Sequence, residues 1–297
     1  MRCLFLLSMT AWFLLSSGSC GADDNILFQD ENLIISGEGY LGGEAKYIRQ
    51  IYPEAKTEIE KILGWKLLSK PTVLLVGNRA VFEKLSGSPF VSAFAMPSEH
   101  LIVIHISPMT SRLPILNDTF KHELCHLLLH DHVKEQIIPK WLDEGICQWI
   151  SGTLGEIMAG DAATISRINM VRSLIPLRQL TASFPRDKDS LFLAYKESYD
   201  FVDYLTTHYG TKSLRSILQY LEQGDSIDPA VSKSLSKSFQ DVHEEWVNDM
   251  QKRSEWLVWA SQNLYEIIFF IMAVLSILAF VRLRIRRTRY TGEDDDD

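Results

Sequence analysis

From Glu44 to Leu63 the apolar positions 45, 48, 51, 55, 59, 62 and 63 recur every three or four residues, with polar residues between them. That spacing predicts an amphipathic helix with one face on a sheet, bent where Pro53 removes a backbone donor. Residues 25–36 before it read as short extended structure. After it, Thr72–Val76, Phe90–Ala95 and His100–Ile106 are brief runs rich in β-branched or aromatic residues, bounded by Pro, Gly or Ser, which predicts three strands. A helix to about His130 is expected to be capped within Asn117-Asp118-Thr119, because each of these side chains can accept from the first free amides. From Pro139 onward helical spacing dominates: Pro139–Ile150, a helix near 160–173, Ser190–Tyr209 ending at Gly210, Thr211–Leu221, and Phe239–Trp256. Strands followed by helices predict an α+β domain.

Both ends of the chain depart from this pattern. Leu4–Leu15 is almost wholly apolar, follows Arg2, and leads into the small residues Ser16 to Ala22. One positive charge, a short apolar core and small residues predict a secretory signal over residues 1–22, with Cys20 open as an alternative lipid-modified cysteine. Ile267–Val281 contains no charge, and Leu264, Tyr265 and Leu283 can extend it to a transmembrane helix over 264–283. Trp256, Trp259 and Tyr265 precede this span, and arginines 282, 284, 286, 287 and 289 follow it. The arginines belong on the cytoplasmic side. The expected product is a single-pass protein of the cell membrane, anchored in the lipid bilayer by its C-terminal helix. Its ectodomain, residues 23–260, would be extracytoplasmic and residues 284–297 a short cytoplasmic tail.

Charge narrows the partners. The five arginines after residue 281 are matched by five acids, and Arg2 by Glu266, so the net charge of −8 rests on residues 21–263. Such a region repels phosphate backbones, which argues against nucleic acid. Only Cys125 and Cys147 lie in the body of the chain, too few for a disulfide scaffold. They are either buried thiols or one disulfide between two helices. No pattern specifies an oligomeric state.

The candidate chemistry lies in Lys121-His122-Glu123-Leu124-Cys125-His126. Two histidines four apart on a helix emerge about one turn apart on nearly the same face, and neutral imidazoles so placed can chelate one Zn²⁺. Glu123, next to the first histidine, is placed to take a proton from a metal-bound water. A catalytic zinc takes three protein ligands and leaves a position for water. The Trp141-Leu142-Asp143-Glu144-Gly145 segment offers Glu144 as the third, at the start of a second helix on which Gly145 permits close approach. Asp143 is the other candidate, about 100° away around that helix. His132 lies ten residues after His122, but the metzincin spacing needs a glycine where this chain has Leu129, so His130 and His132 read as polar residues at a helix end.

Phe120–Leu129 followed by Pro139–Ile150 resembles the peptidase MA-like domain of the gluzincins, in which HExxH is followed by a Trp-Leu-x-Glu-Gly segment. The resemblance continues through Ala194–Leu205 and Tyr209-Gly210 to Glu245-Trp246 and covers about residues 40–250. It implies a zincin-like α+β fold: a small mixed sheet with an active-site helix, then a mainly helical C-terminal half. It also implies a thermolysin-like site, with zinc held by His122, His126 and Glu144, and peptide-bond hydrolysis of a peptide or protein substrate. Cys125, Cys147 and Gln148 depart from the family's usual residues around the ligands.

In that reading Zn²⁺ lowers the pKa of its water toward about 7, Glu123 acts as general base, and the developing oxyanion needs a donor. Tyr195 and Tyr199, four apart on one helix, are the candidates. The strand His100–Ile106 is expected to pair with the substrate backbone. Histidines 100, 105, 208 and 243 read as structural. The competing class is a non-catalytic zincin-fold binding or scaffold protein at the membrane, against which the intact Glu123 argues.

Overall fold

The computed structural model describes residues 25–106, 113–152 and 174–290. The signal segment, the helix near 160–173 and the acidic tail lie outside the described residues. In chain order the elements are β1 (Asn25–Gln29), β2 (Ile34–Gly37), α1 (Gly42–Leu63), β3 (Thr72–Val76), α2 (Arg79–Ser86), β4 (Ala93–Met96), β5 (Leu101–His105), α3 (Leu113–His132), α4 (Lys140–Ser151), α5 (Lys188–Tyr209), α6 (Thr211–Glu222), α7 (Ile227–Leu235), α8 (Phe239–Gln262) and α9 (Leu264–Tyr290). The mixture of a small sheet with many helices is the α+β class expected. The chain divides into two compact units, residues 1–135 with 147–158, and residues 136–146 with 159–297, so the division runs through α4.

In the first unit the five strands form one sheet in the order β1-β2-β3-β5-β4. The inner pairs β2/β3 and β3/β5 are parallel, and the outer pairs β1/β2 and β4/β5 antiparallel. Alternation sorts the side chains by face. Val76 and Val103 form a buried cluster with Phe82 of α2, and Leu74, Val91, Phe94 and Leu101 pack against it. Val73, Leu75, Ile102 and Ile104 therefore point to the opposite face, and all four are buried. There α1 touches β1 and α3, and α3 touches β4 and β5. The two helices meet through an edge-on contact of Tyr52 with Phe120, ring centroids 6.3 Å apart, and a 2.9 Å ion pair of Lys121 with Glu58. Helix α1 runs unbroken through Pro53 and ends at Gly64, whose φ of 80° places its N–H on the carbonyl of Glu60.

Three expectations are corrected. β5 is interior, paired with β3 on one side and β4 on the other, so it has no free edge for a substrate strand. Among the described residues the outer edge of β4 carries no strand partner. β4 itself begins at Ala93, three residues later than expected, because the Arg79 guanidinium takes the carbonyls of Pro89 and Val91 away from any ladder. Asn117, Asp118 and Thr119 are not a cap: α3 is already helical at Leu113, and the Thr119 hydroxyl returns 2.8 Å to the Ile115 carbonyl inside the helix.

In the second unit an aromatic core joins the first half of α4 to α5 and α8. Trp141 meets Phe201 edge-on at 5.2 Å and stacks on Phe239 at 5.7 Å, while Phe201 meets Trp246 at 5.2 Å. The Trp246 indole donates to Asp200, 3.2 Å away. Ser238 and Asp241 close the N-terminus of α8 as a reciprocal capping box. In α9, Leu264–Leu283 is 20 residues long with mean hydropathy 2.6 and no buried share. At about 1.5 Å per residue it can cross a hydrocarbon layer about 30 Å thick.

Candidate metal centre

The helix that carries the histidines is buried nearly all round. From Phe120 to Leu129 only Lys121 is partly exposed. His122, Glu123 and His126 are 8%, 6% and 7% exposed, although such side chains stay buried only when something engages them. The spacing of four residues turns the two rings toward each other: Nε2 of His122 and Nε2 of His126 are 3.1 Å apart. That distance serves either one N–H···N hydrogen bond or two ligands of one ion, since nitrogens 2.0–2.1 Å from a shared tetrahedral centre lie about 3.3 Å apart. The donor chemistry and spacing fit zinc.

Helix α4 brings the remaining groups. Cys147 and Cys125 are both buried thiols, and the disulfide alternative is not formed. The Cys147 sulfur lies 3.5 Å from Nδ1 of His126, on the other edge of that ring. Glu144 precedes Cys147 by three residues, about one helical turn. Its Oε1 is 2.8 Å from Lys140 Nζ, and Asp143 is 3.8 Å from the same ammonium. Burial works to lower the Lys140 pKa, but the carboxylates of Glu144 and Asp143 outweigh it and the net shift is upward. Gln148 adds a buried side-chain oxygen with no hydrogen-bond partner among the described residues. Among the described residues, two groups of donor atoms within 4.8 Å of one another could hold a metal ion: His122, His126 and Glu144, and His126, His130 and Asp143.

Gly145 has a steric reason to be glycine. A Cβ there would meet the Ser198 carbonyl oxygen on α5 and would lie 2.8 Å from Val202 Cγ2. The same helix α5 carries Tyr195 and Tyr199, both half-buried. Tyr195 packs edge-on against Phe184 at 4.9 Å. Between the two tyrosines Glu197 is fully buried, a residue that sequence reading passed over because a charged side chain in a helix gives no sign of facing the core.

The other histidines have structural surroundings. His132 stacks on Trp65 at 4.7 Å and its Nε2 is 2.8 Å from the Lys66 carbonyl, fastening the segment after α1 to the end of α3. His105 stacks on Phe82, and burial with the nearby Arg79 lowers its pKa. His243 lies among Phe201, Phe239 and Trp246, and burial lowers its pKa too. His208 Nδ1 is 3.1 Å from the Tyr204 carbonyl.

The fold and this donor set are those of a metallopeptidase-like protein. The family model of the Peptidase MA superfamily matches residues 81–252, more than half of the chain, and the protein belongs to that superfamily. The superfamily is typically zinc-dependent and acts on peptides or proteins. No curated protein matches the chain.

Proposed function

We propose that the protein is a zinc metallopeptidase, anchored in the membrane by α9 with its catalytic region outside the cytoplasm. His122, His126 and Glu144 would hold one zinc ion. The observation that carries this reading is the pair of buried imidazoles on α3 whose Nε2 atoms face each other at 3.1 Å. A carboxylate of Glu144 whose donor atom falls within 4.8 Å of both supports it. Lys140 on Oε1 is compatible with ligation, because a carboxylate has two oxygens and about four lone-pair directions. The group formed by His126, His130 and Asp143 is the weaker choice, because His130 is only half-buried.

Zinc held there would supply Lewis acidity and make a water nucleophilic near neutral pH. Glu123 would take the proton from that water and pass it to the leaving amine. Tyr195 and Tyr199, one helical turn apart on α5, are the candidate hydroxyl donors to the developing oxyanion. An extended peptide can add to the outer edge of β4, where main-chain hydrogen bonds would hold it beside α3. The apolar span Leu264–Leu283 supports the anchor, and the arginines after it, with the apolar N-terminal segment, support a cytoplasmic C-terminus.

A zinc chelator should abolish cleavage of a peptide library by the detergent-solubilised chain, and added zinc should restore it. Labelling cysteines placed near residue 230 and near residue 292 should show the first reactive outside intact cells and the second only after lysis. Cleavage that resists the chelator, or the opposite labelling, would contradict the corresponding half of the reading.

A further inference from the structure

The sulfur beside His126 has a direction that follows from the ring itself. Cys147 is fully buried and His126 nearly so, and their 3.5 Å contact joins Sγ to Nδ1. The other ring nitrogen, Nε2, is the one that faces His122. If Nε2 gives its lone pair to a metal, the neutral imidazole carries its one proton on Nδ1. Nδ1 then has to be the donor and the sulfur the acceptor. The reverse arrangement, with the thiol donating to Nδ1, would leave the proton on Nε2 and block ligation. Metal-bound histidines commonly donate this second N–H to a carboxylate, a backbone carbonyl or water. Here the same position is filled by a thiol on the helix that also carries Glu144, three residues earlier.

We propose that Cys147 is a positioning residue for the metal: its sulfur accepts the Nδ1 proton of His126 and so fixes the ring's tautomer and orientation, with Nε2 turned toward His122. The proposal rests on the zinc reading above. It couples α4 to the site twice, through the Glu144 carboxylate and through the sulfur one turn later. A sulfur is a weak acceptor, but in a buried site the hydrogen bond meets little competition from water.

The test is zinc affinity of the full chain in detergent, measured by competition with a chromogenic chelator, in the parent, Cys147→Ser and Cys147→Ala. Both replacements remove similar volume, but only serine keeps an acceptor. Cys147→Ala should weaken zinc binding about 10- to 100-fold, and Cys147→Ser should restore most of that loss. Where the alanine variant does not fold, Cys147→Val, which fills the space without an acceptor, takes its place. In the ¹⁵N-histidine spectrum of the zinc-loaded parent, Nδ1 of His126 should appear protonated and slow to exchange. Equal affinities in all variants, equal losses in serine and alanine, or an unprotonated Nδ1 would overturn the proposal while leaving the zinc reading standing. A parent that binds no zinc would bring down both.

Discussion

Replacing Glu197 with glutamine should remove a pH-dependent burden on the folded state. The carboxyl group is fully buried on α5, and its two oxygens lie 3.0 and 3.3 Å from the Ile175 N–H. Burial raises its pKa from 4.5 to about 8, against the lowering effect of the Ile175 N–H, with the charge of Asp200 adding to the rise. Between the unfolded value near 4.5 and the folded value near 8 the folded chain holds a proton that the unfolded chain has lost. Stability is therefore fully present below the unfolded pKa and falls as pH rises toward the folded one. At about 1.4 kcal/mol per tenfold change, the loss is about 1 kcal/mol at pH 5.5, about 3 kcal/mol at pH 7 and up to about 5 kcal/mol above pH 9. Glutamine keeps an oxygen for Ile175 and carries no proton to lose. The assay is urea unfolding followed by tryptophan fluorescence at pH 5.5, 7 and 8.5, parent against Glu197→Gln. The variant should gain on the parent by about 3 kcal/mol from the lowest pH to the highest. A difference that stays constant across that range would refute the reasoning.

Gly145→Ala should destabilise the second unit by about 1–3 kcal/mol in chemical unfolding, because the new methyl group meets the Ser198 carbonyl and Val202. An alanine variant as stable as the parent would mean that α4 and α5 are not so closely packed. Tyr195→Phe and Tyr199→Phe should each retain zinc, and one of the two should lower kcat at least about tenfold; full turnover in both variants would remove a tyrosine donor from the mechanism. Asp131 accepts the N–H groups of Leu68 and Ser69 at 2.8 and 2.9 Å and the Ser69 hydroxyl at 3.1 Å. Asp131→Ala should cost about 1–3 kcal/mol and speed amide exchange at Leu68 and Ser69, and unchanged exchange would show that the carboxylate does not hold that segment.

Periodicity made most of the elements legible. The three-and-four spacing of α1 and the β-branched runs of β3 and β5 report local geometry, and the structure forms them within a residue or two of the expected ends. Two short helices escaped notice. α2 has its signal in Asn78, whose side chain caps Ala80 and Val81, and in Gly87 after it, but eight residues offer little more than two turns of pattern. α7 carries Asp228 and Pro229 in its first turn, an N-terminal signature that was open to reading. The strand order was not legible, because which strand becomes an edge depends on long-range pairing. That is why β5 was assigned a role that its two neighbours exclude. At the site, the helical spacing that brings His122 and His126 face to face is local and was visible in sequence. The contact between Cys147 and His126 joins residues 21 apart through the docking of two helices, and no spacing rule contains it.

The most direct test of the central claim is zinc content together with peptide cleavage, for the parent and for Glu123→Gln. In the proposed mechanism Glu123 acts as base and not as ligand, so one zinc per chain is expected in both, with cleavage in the parent alone. A parent that holds no zinc, or a Glu123→Gln variant that cleaves as fast as the parent, would contradict it.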